Sequence, residues 1–230
     1  MLIDLGCGTG AAGAAWAAAC DEPPPVIGVD RHPWAVAEAA LTYGEFGLSA
    51  RTHRGDIAVV PLPPSPAAIL AAFAVNELAD APRDVLLRRL LDRAAKGDRV
   101  LIVEPVAGFV TPWWGRWRDA FVAAGGRDDQ WRIPVDLPAI VAKLDRAAGL
   151  HHRDLTGRSL WLPGAGLLSC KNQDLTLSEA APEATENGRR PTRTFAVETP
   201  MFHRCPAKRG LRQLLRRAGK HLLHLPRFRP

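Results

Sequence analysis

The stretch Asp4-Leu5-Gly6-Cys7-Gly8-Thr9-Gly10 constrains this chain more than any other. It follows the apolar run Leu2 to Leu5 and precedes an Ala-rich segment, so it reads as a strand, a glycine turn and a helix running from about Gly10 to Cys20. Three glycines at alternate positions give a backbone that can reach φ > 0 and approach a ligand closely, with no Cβ in the way. A turn of this kind belongs at the carboxyl edge of a parallel sheet, where nucleotide-sized ligands bind.

The next ninety residues repeat the alternation. Val26 to Asp30 is a strand bounded by Pro23-Pro24-Pro25, and a helix follows from Pro33, a residue suited to a first turn, to about Gly47. A short strand over Ala50 to His53 leads to Asp56, and Ala67 to Val75 reads as a buried strand after the proline-rich loop from Pro61 to Pro66. A helix from Pro82 to Ala95 and a strand from Arg99 to Glu104 complete the series. Strands alternating with helical segments predict an α/β fold, with a doubly wound, mostly parallel, Rossmann-like sheet covered by helices on both faces. Beyond Pro105 we expect helices over Thr111 to Ala124 and Leu137 to Ala148, and strands over Leu155 to Leu162 and Thr194 to Met201. The chain is thus divided into a core (residues 1–177), a mobile loop rich in Glu, Pro and Thr (178–193), a last core strand (194–205) and a tail (206–230).

The glycine loop fits two ligand classes. As Gly8-x-Gly10-x-x-Gly13 it is a dinucleotide fingerprint; as Asp4-x-Gly6-x-Gly8-x-Gly10 it resembles the first motif of class I S-adenosylmethionine methyltransferases. Asp4 favours the second, because an acid near the turn suits a ligand bearing an ammonium and a sulfonium, whereas pyrophosphate favours a helix N-terminus without one. Asp30 ends the second strand and suits ribose hydroxyls in either class, or caps the helix that follows. Asp56 resembles the acid such methyltransferases place near the adenine amino group, or is a turn residue. Arg31 and Ile57, next in sequence to these acids, are counted with them in the cofactor pocket, as is Cys7, a small filler of the loop rather than a nucleophile. The expected cofactor is S-adenosyl-L-methionine.

The fourth strand runs into Asn76-Glu77, which places these two side chains towards the methyl acceptor as the catalytic candidates. Methyl transfer needs alignment above all: Asn76 could orient an amino or carbonyl group, and Glu77 could accept a proton or cap the next helix. Glu104 is either an acid at the pocket edge or a loop cap. Trp113, Trp114 and Trp117 either wall an acceptor pocket or stack on a base, or else belong to the core or a lid.

Val75-Asn76-Glu77-Leu78, the helix from Pro82, Val103-Glu104-Pro105 and Ala107-Gly108-Phe109 resemble a methyltransferase family associated with the small ribosomal subunit of bacteria and mitochondria. The resemblance spans residues 1–125 and implies contact with ribosomal RNA. Many members of that family hold an iron–sulfur cluster on closely spaced cysteines. Here the four cysteines are Cys7, Cys20, Cys170 and Cys205, with no Cys-x-x-Cys pair, so neither a cluster nor a zinc site is expected. The pairs His151-His152 and His203-x-Cys205 lack partners of metal-ligand spacing, and no metal is expected there either.

Charge is distributed unevenly. The formal net charge is +6, yet Lys208, Arg209, Arg212, Arg216, Arg217, Lys220, Arg227 and Arg229 all lie in the last 25 residues without an acid among them, leaving the body slightly acidic. With Leu211, Leu214, Leu215, Leu222 and Leu223 on one side, residues 208–223 read as a basic amphipathic helix. Its candidate partners are RNA or a ribosomal subunit through phosphate contacts, an anionic membrane surface, or the edge of the domain itself. A small-molecule acceptor is the alternative to RNA for the enzyme, and an RNA- or ribosome-binding assembly factor that keeps the pocket without turnover is the alternative to the enzyme. An apolar share of 47% provides for a packed core and excludes a disordered chain. No transmembrane run is present, and no basic residue precedes the Ala-rich stretch before Cys20 as a signal peptide requires, so a cytoplasmic location is expected.

Overall fold

A computed structural model of the chain describes residues 1–106, 111–150 and 152–164. The expected loop 178–193, strand Thr194 to Met201 and basic tail lie outside the described residues, as do Ala107-Gly108-Phe109, Cys170 and Cys205. The elements are β1 (Leu2–Leu5), α1 (Ala11–Ala18), β2 (Val26–Asp30), α2 (Pro33–Glu45), β3 (Ala50–Arg54), β4 (Ala68–Ala72), α3 (Asp80–Ala95), β5 (Arg99–Glu104), α4 (Trp114–Ala123), β6 (Arg127–Pro134), α5 (Ala139–Ala147) and β7 (Asp154–Leu162), with a 3-10 turn at Val75–Glu77.

The seven strands form one sheet in the order β3-β2-β1-β4-β5-β7-β6. The first five are parallel, and β7 runs antiparallel between β5 and β6. The order reverses between β1 and β4, and there the carboxyl ends of the strands open the crevice in which such sheets bind ligands. A plain dinucleotide fold continues 4-5-6 in parallel; the antiparallel β7 sets this sheet apart from it and agrees with the Rossmann-like methyltransferase architecture expected above.

All four residues of β1 are buried, as a central strand covered on both faces requires. Its side chains alternate between two cores. Ile3 and Leu5 join Ile69, Leu86, Leu90, Val100, Ile102, Trp117 and Phe121 on the side of α3 and α4. Leu2 joins Ala14, Ala17, Val26, Ala39, Tyr43 and Leu70 on the side of α1 and α2. The small residues of α1 let it lie close to the sheet, while α3 buries Leu86, Leu87, Leu90 and Ala94 along one stripe.

Two local features differ from the sequence reading. Residues 127–134 form a strand for which the sequence gives no expectation, because Arg127, Asp128, Asp129 and Arg132 mask its alternation; β6 is an edge strand whose partner is β7. The fourth strand stops at Ala72 rather than Val75, since Phe73 turns to φ 56° and its N–H donates to the Val103 carbonyl. Of the alternatives for the tryptophans the core is the one found: Trp114 and Trp117 are core residues with Phe121, and Trp113 sits partly buried against them.

Candidate functional site

The glycine loop leaves β1 under tight control from β2. Gly6 and Cys7 donate their N–H groups to the Val29 carbonyl at 2.8 and 3.0 Å, and Gly8 donates to Asp30 Oδ2 at 3.0 Å. Gly6, Gly8 and Gly10 all have positive φ, at 70°, 51° and 82°. Their surroundings differ. A Cβ on Gly6 would lie 2.4 Å from the Cβ of Ala74, so loop and β4 edge meet there without space for a side chain. A Cβ on Gly8 would meet nothing within 4 Å, leaving the backbone open to a ligand. The loop is therefore a cradle closed on its β4 side.

A cleft of about 430 Å3, its open mouth included, lies above this loop. Gly6, Asp30, Arg31, Gly55, Asp56, Ile57, Ala74, Glu77 and Leu78 line it. Six of the residues singled out from sequence thus come together: Gly6, Asp30, Arg31, Asp56, Ile57 and Glu77. Asp30 Oδ1 accepts from the His32 N–H at 2.8 Å, so each carboxylate oxygen holds one backbone amide and keeps a further lone pair for a ligand hydroxyl. Asp56 is exposed and its Oδ1 takes the Ala58 N–H at 2.8 Å, a turn-forming bond that leaves the other oxygen at the cleft. Across the mouth, Arg31 Nη2 stands 3.9 Å from Glu77 Oε2, both side chains largely exposed, a pair of small energetic weight that bridges the two walls.

Asp4, Cys7, Gly8, Gly10 and Asn76 are not among the lining residues. Asp4 is buried on the α1–α2 side, where its Oδ2 accepts from the Tyr43 hydroxyl at 2.8 Å and the Gly13 N–H at 3.1 Å. Burial raises its carboxyl to about 6, against the lowering pull of those two bonds. A Cβ on Gly13 would come within 2.3 Å of Asp4 Oδ2, which explains the glycine at that position of α1. Burial likewise raises the Cys7 thiol, to about 12, so it is an inert thiol under the loop, as a filler should be.

The acceptor-side wall is the turn Val75–Leu78, held from behind by two buried charged residues. Glu104, at the end of β5 and fully buried, accepts from the Val75 and Asn76 N–H groups through one oxygen, Oε1, at 2.9 and 3.3 Å. Arg83, on α3, donates its Nε to the Val75 carbonyl at 3.2 Å and its Nη2 to the Leu78 carbonyl. Burial raises the Glu104 carboxyl to about 7; the two amides and the nearby Arg158 oppose that shift. Arg158 pairs with Glu104 in the β5–β7 register, lies 4.2 Å over the Trp114 ring and donates to Thr111 Oγ1. Asn76 Oδ1 and Glu104 Oε2 are buried acceptors without a partner among the described residues.

Sequence reasoning named Glu104 without deciding its role, and passed over Arg83, Ala74 and Gly55. A positive residue on an apolar helix stripe was the available signal for Arg83, which occupies the stripe shared by Leu86, Leu87 and Leu90. Among the described residues, no group of three or more His, Cys, Asp or Glu is placed to hold a metal ion. No helix among them is long and apolar enough to cross a membrane.

Comparison with known proteins bears on this cleft. Residues 2–97 match the family model described as a methyltransferase domain. Among curated proteins none matches the chain. Solved structures with a similar fold include the YcgJ protein of Bacillus subtilis, at 18% identity and TM-score 0.47, covering 70% of this chain and 88% of that one. Another is the O-methyltransferase NcsB1 of neocarzinostatin biosynthesis, in complex with S-adenosylmethionine and a naphthoic acid, at 18% identity and TM-score 0.47, covering 70% of this chain and 48% of that one. A third is a complex of the Haloferax volcanii Trm112 methyltransferase activator with a protein described as its methyltransferase, at 18% identity and TM-score 0.48, covering 71% and 81%. The domain match takes in β1 to α3, all the elements that line the cleft. It supports a methyltransferase domain in this part of the chain.

Proposed function

We propose that this chain transfers the methyl group of S-adenosyl-L-methionine to an acceptor held against the Ala74–Leu78 side of the cleft. The observation that carries the reading is the convergence of Gly6, Asp30, Asp56 and Glu77 on one crevice where the strand order reverses. Gly6, Gly8 and Gly10 cradle the methionine part, where the open space beyond Gly8 admits it. Asp30 takes the ribose hydroxyls, and Asp56 with Ile57 takes the adenine. Asp4 acts beneath the loop, by tying α1 and α2 to β1.

When bound, the cofactor supplies a methyl carbon already activated by a sulfonium. The chain then has to hold the acceptor in line with it, and a base is optional. Asn76 orients the acceptor and Glu77, exposed at the mouth, is the group that can receive its proton. RNA is the first candidate acceptor, on the resemblance of residues 1–125 to the ribosome-associated family, with residues 1–177 as the catalytic body and the basic segment Lys208–Arg229 as the phosphate contact. A small molecule is the second. That acid-free basic segment also favours one other reading: an RNA- or ribosome-binding assembly factor that retains the pocket without turnover.

Calorimetric titration with S-adenosylmethionine and, in parallel, with NADH tests the pocket. We expect micromolar binding of the first alone, lost in Asp30→Ala; binding of NADH, or of neither, would sink the reading. Transfer of tritium from methyl-labelled cofactor into RNA, abolished by removing residues 206–230, separates enzyme from assembly factor and RNA from small acceptor.

A further inference from the structure

The turn that carries both catalytic candidates has almost no secondary structure of its own to fix it. It is a single 3-10 turn, which by itself closes few backbone bonds: Glu77 N–H to Ala74 carbonyl at 3.3 Å and Leu78 N–H to Val75 carbonyl at 3.2 Å. Phe73 enters it from a left-handed conformation uncommon for an aromatic residue, and Ala74 is pressed against Gly6 of the cofactor loop. Such a segment keeps one conformation only if the structure around it supplies the missing bonds. Here the supply is divided by type. The two free amides at the start of the turn, Val75 and Asn76, go to a carboxylate oxygen; two of its carbonyls, Val75 and Leu78, go to a guanidinium. Both charged groups are buried, at 0% and 8% exposure, and neither lines the cleft.

We propose that Glu104 and Arg83 form a clamp that positions the Val75–Leu78 turn, so that the acceptor-side wall of the cofactor cleft is set by two charged residues that never touch the cofactor. The inference rests on the cleft being the cofactor site, and it names what holds one wall of that site in place. Glu104 acts through reach: one oxygen spans two consecutive amides, which an acid one methylene shorter cannot do from β5. Arg83 acts through its fork, with two nitrogens on two carbonyls three residues apart, a geometry a single ammonium does not reproduce.

Two measurements on the full chain test this. The first is amide hydrogen exchange without any ligand, read over residues 73–79 and over β1 and β2 as internal reference. Glu104→Gln keeps an accepting oxygen at full reach and is expected to stay within about threefold of wild-type protection, whereas Glu104→Asp and Arg83→Lys are expected to lose about tenfold in the turn alone. The second is calorimetric affinity for S-adenosylmethionine, which should fall about tenfold in Glu104→Asp and Arg83→Lys and be restored in Glu104→Gln. If Glu104→Asp matches wild type in both measurements, or if Glu104→Gln is as damaged as Glu104→Asp, the clamp is overturned. Wild-type protein that binds no S-adenosylmethionine would overturn the functional reading instead, and the exchange measurement would still decide the clamp.

Discussion

The Tyr43 hydroxyl donates to Asp4 Oδ2 at 2.8 Å, from the last turn of α2 to the middle of β1, in the interior of the α1–α2 layer. The same oxygen receives the Gly13 amide, so one carboxylate joins the first strand to both helices that flank the glycine loop. Removing the hydroxyl leaves a buried acid with one bond fewer. Tyr43→Phe is expected to cost about 2 kcal/mol, measured by urea denaturation at pH 8, and less at pH 5, where Asp4 is protonated. An equal cost at both pH values would mean that the carboxylate is not the partner that matters.

The two raised carboxyls give a pH dependence with a definite sign. Asp4 moves from 3.8 to about 6 and Glu104 from 4.5 to about 7, chiefly by burial. For an acid raised on folding, the unfolded chain releases its proton first, so the stabilisation is complete below the unfolded value and is lost as pH climbs through the folded one. Unfolding free energy should therefore decline between about pH 4 and pH 7, by a few kcal/mol for the two groups together. Glu104→Gln should flatten the part of that decline nearest pH 7. A stability that rises over the same interval in wild type would contradict the assignment.

Gly6 and Gly8 should differ in how much alanine costs the fold. At Gly6 the new methyl would overlap Ala74, and φ is +70°; Gly6→Ala is expected to lower the melting temperature by several degrees and abolish cofactor binding. At Gly8 the methyl meets nothing, so only the left-handed backbone penalty applies, about 1 kcal/mol. Gly8→Ala should fold nearly as wild type and bind at least tenfold more weakly, because its methyl occupies the space left for ligand. Calorimetry beside thermal denaturation separates the two; equal stability losses would remove the distinction between a closed and an open side of the cradle.

Phe73 is the one non-glycine residue with positive φ among the described residues, and the residue is 52% exposed. Little packing offsets the strain. Phe73→Gly should leave stability unchanged or raise it by up to about 1 kcal/mol, since relief of the left-handed penalty is set against the extra freedom of the unfolded glycine. A loss above 1 kcal/mol in urea denaturation would show that the ring has packing beyond its exposure.

The parallel half of the fold was legible because β1, β2, β4 and β5 are short and apolar, and because turn chemistry marks the strand ends: Gly6 after β1, Asp30 closing β2, Asp56 after the polar β3. Those are also the residues that line the cleft, so most of the cofactor side could be read before any coordinates. The acceptor side was less legible. β6 hides its alternation behind Arg127, Asp128, Asp129 and Arg132, and a strand at a sheet edge need bury only half of itself. Arg83 and Glu104 serve the turn through bonds spanning 5 to 8 and 28 to 29 residues, and nothing in local periodicity reports a partner at that separation. Asp4 shows the limit from the other direction. Its place in the motif suggested a ligand contact, while the distances place its oxygen on Tyr43 and Gly13.

The strand order also has a consequence for biogenesis. Synthesis delivers β5 long before the strand that lies beside it, since Glu104 pairs with Arg158 and Val100 with Leu162. A nascent chain that has emerged only as far as α5 can assemble the five parallel strands, but the outer border of β5 then stands bare, an apolar ribbon of Val100, Leu101, Ile102 and Val103 with unpaired amides and carbonyls. Such a border pairs readily with any other extended chain. Translation that stalls or terminates before residue 154 would thus release a sticky half-sheet, and the last described strand doubles as the seal that ends this vulnerable interval.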